Sequence, residues 1–358
     1  APFAAALMER FTVRKVVMSA LALVSLSATS TIFMTQPWHL WALWGIGVGV
    51  GAGSMALVFA ATIANRWFIA RKGIVVGALT AATASGQLVF LPMLSHFAIN
   101  YGWKSVSLTV GGAAALIIPF IFFFLKEKPE LMGMTPYGAP DDWQPPAPNE
   151  LSAGRIAIDT LKVSSKSKDF WILFGTFLVC GLSTNGLIGT HFIPAAHDHG
   201  MGETVAAGLL ALVGVFDVIG TIFSGWLTDR MDPRRLLFFY YGLRGLSLFL
   251  LPSILFSTMH PSTLVFIIFY GLDWVATVPP TLMLCRIVMG NQRSAVVYGW
   301  VFVGHQIGAS IAAIGAAVLR VKLGDYAVAF YISATMCLVA ALAVLQIAKG
   351  KTTAELRG

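Results

Sequence analysis

The stretch "GVFDVIGTIFSGWLTDRMDPRR", residues 214–235, places one carboxylate, Asp217, among apolar residues and ends in a dense group of charges. A soluble core helix rarely buries an unpaired acid, and a helix that faces water rarely carries so many apolar neighbours. A helix that crosses a lipid bilayer accounts for both features, because its acid can face a polar interior while the rest faces lipid. The stretch therefore predicts a membrane span followed by a charged loop.

The composition of the whole chain extends this interpretation. Of its 358 residues, 57% are hydrophobic and 11% are charged, and the mean hydropathy is +0.78. Soluble domains carry about 25% charged residues, and about 20 apolar residues cross the hydrocarbon core. We predict ten full spans: Val16–Met34, His39–Ala64, Gly73–Ile99, Ser105–Leu125, Phe170–Ala195, Thr204–Leu227, Leu236–Phe256, Thr263–Val288, Ala295–Leu319 and Ala327–Ile347.

The basic residues predict the orientation. If residues 9–15 are cytoplasmic, Lys104, Arg320 and Lys322 lie outside, Arg244 lies within a span, and the other twenty of the 24 Lys and Arg residues lie inside. This is a strong positive-inside bias, so the net charge of +8 reports membrane topology. Nucleic-acid binding is excluded as its cause, because the charges are scattered over loops between helices. The lipid bilayer is the expected partner, and the C-terminus is expected in the cytoplasm.

The chain repeats one motif. "AALMERFTVRK" (residues 5–15) aligns with "GWLTDRMDPRR" (residues 225–235) at an offset of 220, which pairs Glu9 with Asp229. Such self-similarity indicates two related halves. We predict an all-α membrane protein of two pseudo-symmetric six-helix bundles, with the first helix and most of the second absent from the sequence.

Domain boundaries follow from the spans and from one Pro-rich stretch. "YGAPDDWQPPAPNE", residues 137–150, is typical of a flexible linker. The predicted parts are an N-terminal bundle (1–125), a cytoplasmic central linker (126–169), a C-terminal bundle (170–347) and a cytoplasmic tail (348–358).

These features resemble the major facilitator superfamily. The acid–Arg–x–x–x–basic–basic loop after helices two and eight and the central cytoplasmic loop carry the resemblance. Finer stretches are similar to its monocarboxylate and oxalate–formate porter branch: "NRWFIARKGIVVGALTAATASGQ" (65–87), "GW" (102–103), "KPELMGMTPYG" (128–138) and "LSTNGLIGTHFIPAAHDHGM" (182–201). The resemblance implies a monomeric secondary transporter in a bacterial cytoplasmic membrane.

Three positions depart from the family pattern. Glu9 stands where the first loop motif has Asp, and Ala5 stands where it has Gly. In the animal monocarboxylate porters an Arg follows the eighth-helix Asp by four residues, whereas Thr221 follows Asp217 here. Their anion-binding Arg therefore cannot be transferred to this chain.

The loop charges are candidates for gating. Charge pairs between helix ends can close one face and break when the halves rock; the competing interpretation is that they only anchor the topology. The predicted gating residues are Glu9, Arg10, Gly225, Asp229, Arg230, Arg234 and Arg235.

A second set of polar residues falls near the middle of five spans. Charge at the bilayer centre costs at least about 2.5–3.5 kcal/mol, so these residues face a cavity or each other. An Asp217–Arg244 structural pair is as consistent with the sequence as a substrate or proton role. Pro279 and Pro280 should break the tenth helix near Asp273. The predicted substrate- or proton-binding residues are Asn185, Asp217, Arg244, Asp273, His305 and Gln306.

Other chemistry is not indicated. His191, His197 and His199 lack converging metal-ligand spacing, the three cysteines suggest small buried filler, and no nucleotide or nucleophile motif is placed correctly. We predict no metal, no cofactor and no enzymatic activity.

The sequence thus predicts a secondary active transporter of a small solute. An organic anion such as a monocarboxylate, in proton symport, follows by analogy with the carboxylate-porter branch. A cationic or neutral substrate fits the two buried acids equally well. A non-transporting sensor or scaffold and a polytopic membrane enzyme are the alternatives.

Overall fold

The computed structural model describes residues 2–140, 142–144, 153–290 and 293–348. Within these ranges the chain is helical and has no β-strand; one isolated parallel bridge joins Phe68 and Tyr137. The α-helices are α1 (Pro2–Arg10), α2 (Val13–Ser30), α3 (Pro37–Leu40), α4 (Gly49–Trp67), α5 (Lys72–Tyr101), α6 (Trp103–Phe124), α7 (Ala153–Ser164), α8 (Lys168–Gly181), α9 (Gly189–Asp198), α10 (Glu203–Thr228), α11 (Pro233–Ile254), α12 (Pro261–Asp273), α13 (Val278–Met289), α14 (Ser294–Leu323) and α15 (Ala327–Val344). The all-α prediction is confirmed.

Two π-helical segments join α-helices into longer spans. Trp41–Val48 lies between α3 and α4, and Leu182–Ile188 lies between α8 and α9. Short 3₁₀ turns occupy Thr31–Phe33 and Pro129–Met132. Segments with π geometry are frequent at functional sites, and the second one contains Asn185.

Among the described residues, nine segments are long and apolar enough to cross a membrane. They cover nine of the ten predicted spans. The remaining predicted span, Gly73–Ile99, coincides with α5, which is a 30-residue helix. The protein is therefore a multi-pass membrane protein.

Local sequence explains where several helices begin and end. Asp232 caps α11 by accepting a hydrogen bond from the Arg234 N–H, and Pro233 occupies the first helical position, where no N–H is needed. Gly324 ends α14 in the left-handed conformation that glycine adopts at no steric cost. Thr12 caps α2 through its hydroxyl.

The chain divides into two compact units. Unit 1 comprises Ala1–Ala70 and Val89–Thr160, and unit 2 comprises Arg71–Leu88 and Leu161–Gly358. The first part of α5 therefore groups with unit 2, although we predicted all of it for the N-terminal bundle. The predicted domain boundaries themselves stay a prediction.

Unit 1 has an apolar core where α2 packs against α6 and α4. Its buried members are Met8, Val13, Val17, Leu21, Val24 and Ala114. The segment predicted as a flexible linker also makes ordered contacts here. Tyr137 donates its N–H to the Trp67 carbonyl at 2.8 Å and accepts from the Ile69 N–H at 2.8 Å. Residues 141 and 145–152 of that linker, and residues 349–358 of the tail, lie outside the described ranges.

Unit 2 is built from three close helix pairs: α8 with α14, α11 with α15, and α10 with α12. Glycines permit the close approach. A Cβ at Gly308 would collide with the Leu178 backbone, and one at Gly220 would collide with the Leu272 backbone. Small residues are the usual means of bringing membrane helices together. This packing places the polar residues of α8, α10, α11 and α12 side by side.

Candidate functional site

The predicted span Thr263–Val288 is broken near Pro279 and Pro280, as these prolines predicted. The helix α12 ends at Asp273, Trp274–Thr277 forms turns, and α13 resumes at Val278 with the two prolines in its first turn. A broken helix exposes backbone groups that must find partners, because the hydrocarbon core supplies none. The neighbouring helices α10 and α11 supply them.

Asp217 of α10 binds the N–H side of this break. Its Oδ1 accepts the Val275 N–H at 3.0 Å and the Thr221 hydroxyl at 2.7 Å. The residue is only 1% exposed. Val275 lies in the turn before α13, and its partly buried N–H needs an acceptor from another helix. Asp217 therefore holds the turn that leads into the second half of the broken helix.

Arg244 of α11 binds the carbonyl side of the break. Its Nη2 donates to the Asp273 carbonyl at 2.6 Å and to the Trp274 carbonyl at 3.3 Å, and its Nε donates to Asp273 Oδ2 at 2.6 Å. A cation is favoured at a helix C-terminus, where the partial charge is negative. The guanidinium is fully buried, so it does not extend to the membrane surface.

The remaining carbonyls of the break are also bonded. Ser224 of α10 donates its hydroxyl to the Ala276 carbonyl at 2.5 Å. The Val275 carbonyl accepts the Val278 N–H, and the Thr277 carbonyl accepts the Thr281 N–H. Every carbonyl from Asp273 to Thr277 thus has a donor, so the break is a formed structure with specific partners.

A second polar cluster lies where the π-helical segment Leu182–Ile188 packs against α14. Asn185 lies exposed on the π-helical segment, and its Nδ2 is 3.4 Å from Nε2 of His305 on α14. The His305 ring stacks against Phe302 and lies 5.0 Å from the centre of the Phe177 ring. Gln306 is exposed beside it.

Two buried polar atoms of these clusters have no hydrogen-bond partner among the described residues. They are Asp273 Oδ1 and His305 Nδ1. Unsatisfied buried groups are few in native proteins, and each calls for a reason such as a missing ion, water or ligand. The clusters therefore retain capacity to bind further donors or acceptors.

Cys180 lies between the two clusters; it is buried, as predicted, and its thiol also contacts polar groups. Its Sγ accepts from Arg244 Nη1 at 3.2 Å and lies 3.3 Å from the Thr277 hydroxyl. Its electrostatic neighbours include His305. The signal for this residue was present but weak: Cys180, Ser183 and Thr184 are polar or thiol groups on one helical face.

The predicted mid-span residues thus separate into two groups. Asp217, Arg244 and Asp273 lie around the helix break. Asn185 of the π-helical segment instead meets His305 of α14, with Gln306 nearby. Sequence reasoning missed Ser183, Ser224, Thr277 and Tyr270, since lone hydroxyl groups in a span most often bond their own helix.

Asp229, the acid of the repeated loop motif, binds the start of another helix. Its two carboxylate oxygens accept the Gly73 N–H at 3.0 Å and the Ile74 N–H at 3.2 Å, in the first turn of α5. Gly225 allows this approach, since a Cβ there would collide with the Gly73 backbone. Arg286 of α13 interacts electrostatically with Asp229.

The predicted gating arginines differ in their partners. Arg230 stacks on Trp226 of its own helix and donates to its carbonyl at 3.1 Å. Arg234 pairs with Asp232 at 2.6 Å and donates to the Ile347 carbonyl at 2.9 Å, beyond the end of α15. Arg235 is exposed.

In unit 1, a carboxylate that the sequence did not predict makes the same kind of bond to a helix start. Glu127 accepts the Val13 and Arg14 N–H groups at 2.8 Å each, at the start of α2, and pairs with Arg66 at 3.2 Å. Arg66 also binds the Met8 carbonyl. Glu127 directly follows the span that contains α6, which was the available signal.

The predicted members of this first loop motif are less informative. The Arg10 guanidinium lies 5.9 Å from the centre of the Phe11 ring. Glu9 lies in α1, but its side chain is outside the described part of the structure.

At the end of the predicted span Phe170–Ala195, His191, His197 and His199 do not converge among the described residues. No group of three metal-ligating residues is present in the part of the chain that the structure describes. His191 contacts the Ala313 carbonyl, and Asp198 instead forms a two-point pair with Arg320.

Broken spans with buried polar groups beside the break are typical of one class of protein, the secondary transporters. Comparison with known proteins agrees: the model of the Major Facilitator Superfamily matches residues 1–313. The chain belongs to this superfamily, whose members are transporters, so the polytopic-enzyme alternative is set aside.

Individual relatives narrow the comparison. The MFS-type transporter YcxA of Bacillus subtilis is 27% identical over 76% of this chain, which spans 64% of the length of YcxA. Monocarboxylate transporter 12-B of Danio rerio is 26% identical over 91% of this chain and 71% of its own length. The E. coli fucose:proton symporter FucP has a TM-score of 0.68 at 16% identity, over 97% of this chain and 87% of FucP, which shows the fold alone.

Proposed function

We propose that this protein transports a small organic anion, such as a monocarboxylate, together with a proton by alternating access. It would work as a monomer in a bacterial cytoplasmic membrane with its C-terminus in the cytoplasm. The printed name of the Danio rerio relative supports the substrate class. The observation that carries the proposal is the charge balance around the helix break.

That balance favours a proton site. Two buried carboxylates, Asp217 and Asp273, face one guanidinium, Arg244, so the cluster has a charge of −1 when both acids are ionised. An uncompensated charge at this depth costs several kcal/mol. Asp273 is already paired with Arg244, so Asp217 is the group that would take up the proton. Both hydrogen bonds reach its Oδ1, so its Oδ2 can be protonated without losing either.

The same geometry argues against a cationic substrate. Asp273 is neutralised by Arg244, and Asp217 is almost completely buried. The one carboxylate oxygen without a partner, Asp273 Oδ1, belongs to an acid whose charge Arg244 already balances, so it offers a cation little attraction. Arg244 is equally unsuited to an incoming anion, because its five described contacts occupy all three of its nitrogen atoms.

The anion would instead bind to Asn185, His305 and Gln306. When His305 is neutral, its Nε2 can accept from the Asn185 amide. When His305 is protonated, Nε2 becomes a donor and faces another donor. A carboxylate oxygen between the two accepts from both, so a carboxylate favours the protonated ring.

Gating would use the carboxylates at helix starts, Asp229 and Glu127. Their partners are backbone N–H groups near the cytoplasmic ends predicted from charge. Such bonds stabilise one state and are replaced by water when the face opens.

The experiment is uptake of radiolabelled lactate, pyruvate and oxalate into proteoliposomes, with and without an inward proton gradient. We expect gradient-driven uptake of at least one acid, and a loss of more than tenfold in His305→Gln. His191→Gln is the matched control, since His191 is also a buried histidine on a packed helix face. Equal uptake by both variants would contradict the proposal, and no uptake by the wild type would favour a non-transporting sensor or scaffold.

A further inference from the structure

We infer that Arg244 is a positioning residue that holds the π-helical segment Leu182–Ile188 and the break Trp274–Thr277 together as one moving unit. The two interruptions lie in different spans. One carries the substrate-facing Asn185, and the other carries the groups bound to Asp217. A mechanical link between them would couple the proposed anion site to the proposed proton site.

The guanidinium reaches both interruptions at once. Nε and Nη2 bind Asp273 and Trp274 at the end of α12. Nη1 binds Cys180 at 3.2 Å and Ser183 at 3.4 Å, where α8 passes into the π-helical segment. Only a planar group with several fixed donors can satisfy both sides simultaneously, which separates arginine from lysine here.

A second bond joins the same two segments. Tyr270 of α12 donates its hydroxyl to the Ser183 carbonyl at 2.7 Å. A buried backbone carbonyl needs a hydrogen-bond donor, and the Ser183 carbonyl finds it in Tyr270 of α12. Arg244 of α11 binds the Cys180 and Ser183 side chains, so both helices hold the segment that presents Asn185.

The side chains that form this link are buried. Arg244 and Tyr270 are each at most 1% exposed, and Ser183 is fully buried. Hydrogen bonds to a charged group at low dielectric are among the stronger ones in proteins, and an orphaned partner there is costly. Movement of one segment away from Arg244 would leave its partners unsatisfied, so the two segments move together.

The test is hydrogen–deuterium exchange of the purified protein in lipid nanodiscs, read in two peptides: one covering residues 181–190 and one covering residues 269–281. Arg244→Gln should accelerate exchange on the order of tenfold in both peptides, because both lose donors. Arg320→Gln is the matched control, an arginine paired with Asp198 away from both interruptions, and should change neither. Acceleration in only one peptide would overturn the inference.

A double variant separates positioning from simple charge balance. Arg244→Gln combined with Asp273→Asn removes both charges of the pair. If Arg244 only neutralises Asp273, the double variant regains wild-type exchange in both peptides, which would refute a positioning role. We expect exchange to stay fast, because the Asp273 and Trp274 carbonyls and Ser183 still lack their donors.

A milder variant covers the case in which Arg244→Gln does not fold. Ser183→Ala removes one acceptor of Nη1, keeps the Ser183 carbonyl that Tyr270 binds, and leaves the Arg244–Asp273 pair intact. Faster exchange in the 269–281 peptide, to which the Ser183 hydroxyl is joined only through Arg244, would support the link, and unchanged exchange there would overturn it.

The transport consequence rests on the proposed function, whereas the exchange measurements do not. Arg244→Lys should lower the Vmax of lactate uptake while the KM stays within about twofold, since a positioning residue does not contact the substrate. A raised KM with unchanged Vmax would make Arg244 a substrate contact and overturn the inference. If the wild type carries no carboxylate, the proposed function fails and the exchange result still decides the role of Arg244.

Discussion

Two carboxylates, Asp217 within α10 and Asp229 directly after it, make the same kind of bond at different depths. Each accepts backbone N–H groups of another helix: Val275 for Asp217, and Gly73 with Ile74 for Asp229. Asp217 is 1% exposed, whereas Asp229 is half-buried at the helix end. Water can replace the partners of Asp229 when its bonds break, but it cannot do so for Asp217. The shallow carboxylate is therefore suited to opening and closing, and the deep one to changing its protonation state in place.

The largest expected effect is at the deep carboxylate. Asp217→Ala removes the acceptor of the Val275 N–H and the Thr221 hydroxyl, and should lower the free energy of unfolding by about 2–3 kcal/mol. Asp229→Ala should cost about 1 kcal/mol, because water can solvate its former partners. The two variants are compared by thermal unfolding in detergent, and unfolding is monitored by the reaction of cysteines that are buried in the folded protein. Equal losses would mean that depth does not distinguish the two sites.

The next effect concerns the helix contact that supports the shallow carboxylate. Gly225→Ala places a methyl group against the Gly73 backbone and should destabilise by about 1–3 kcal/mol through overpacking. Gly208→Ala on the same helix is the matched control, because nothing lies within 4 Å of its added Cβ. That control should be neutral or stabilising by about 0.5 kcal/mol, from helix propensity. Similar melting temperatures for both variants would contradict the close α5–α10 approach.

Salt provides a third and smaller test of the comparison. The effect of Asp229→Asn on uptake should shrink between 0.1 M and 1 M salt, since the Debye length falls from about 10 Å to about 3 Å. The effect of Asp217→Asn should not change, because ions do not screen a buried group. The same salt dependence for both variants would place both sites in contact with water.

The smallest effect concerns Asp232, a helix-start carboxylate outside the spans. Hydrogen bonds from the Arg234 side chain hold the pKa of Asp232 below its usual range. A lowered folded-state pKa adds stability above the unfolded value near 4, and that stability is lost as pH falls through the folded pKa. Because the Asp232 side chain stays partly open to water, which screens the pair with Arg234, we expect about 0.5 kcal/mol.

This last prediction is checked by comparing melting temperatures of the wild type and Asp232→Asn from pH 6 down to pH 3. The difference between them should narrow on acidification. A difference that widens as pH falls would show that Asp232 opposes folding.

Much of the fold followed from the sequence, because hydropathy and span length dominate membrane structure. The helix break near Pro279 was also predictable, since proline in a helix leaves carbonyls free. The cap at Asp232 and the carboxylate at Asp229 were visible as charged residues at helix ends, although the bond from Asp229 to α5 was not.

The partners within the site could not be predicted in the same way. Sequence gives the depth of Arg244 but not the direction of its side chain. The π-helical segment around Asn185 leaves no periodic signal, because one widened turn shifts the helix face only locally. Cys180 and Glu127 were overlooked because a thiol resembles filler and an acid after a span resembles solvent-facing charge.

The central claim is that Asp217 carries the coupling proton while Asp229 controls opening. It is tested most directly by measuring, in the same proteoliposomes, lactate exchange at equal pH and lactate accumulation driven by a proton gradient. Asp217→Asn should retain exchange and lose accumulation, whereas Asp229→Asn should slow both by the same factor. Accumulation at the wild-type level by Asp217→Asn would contradict the account.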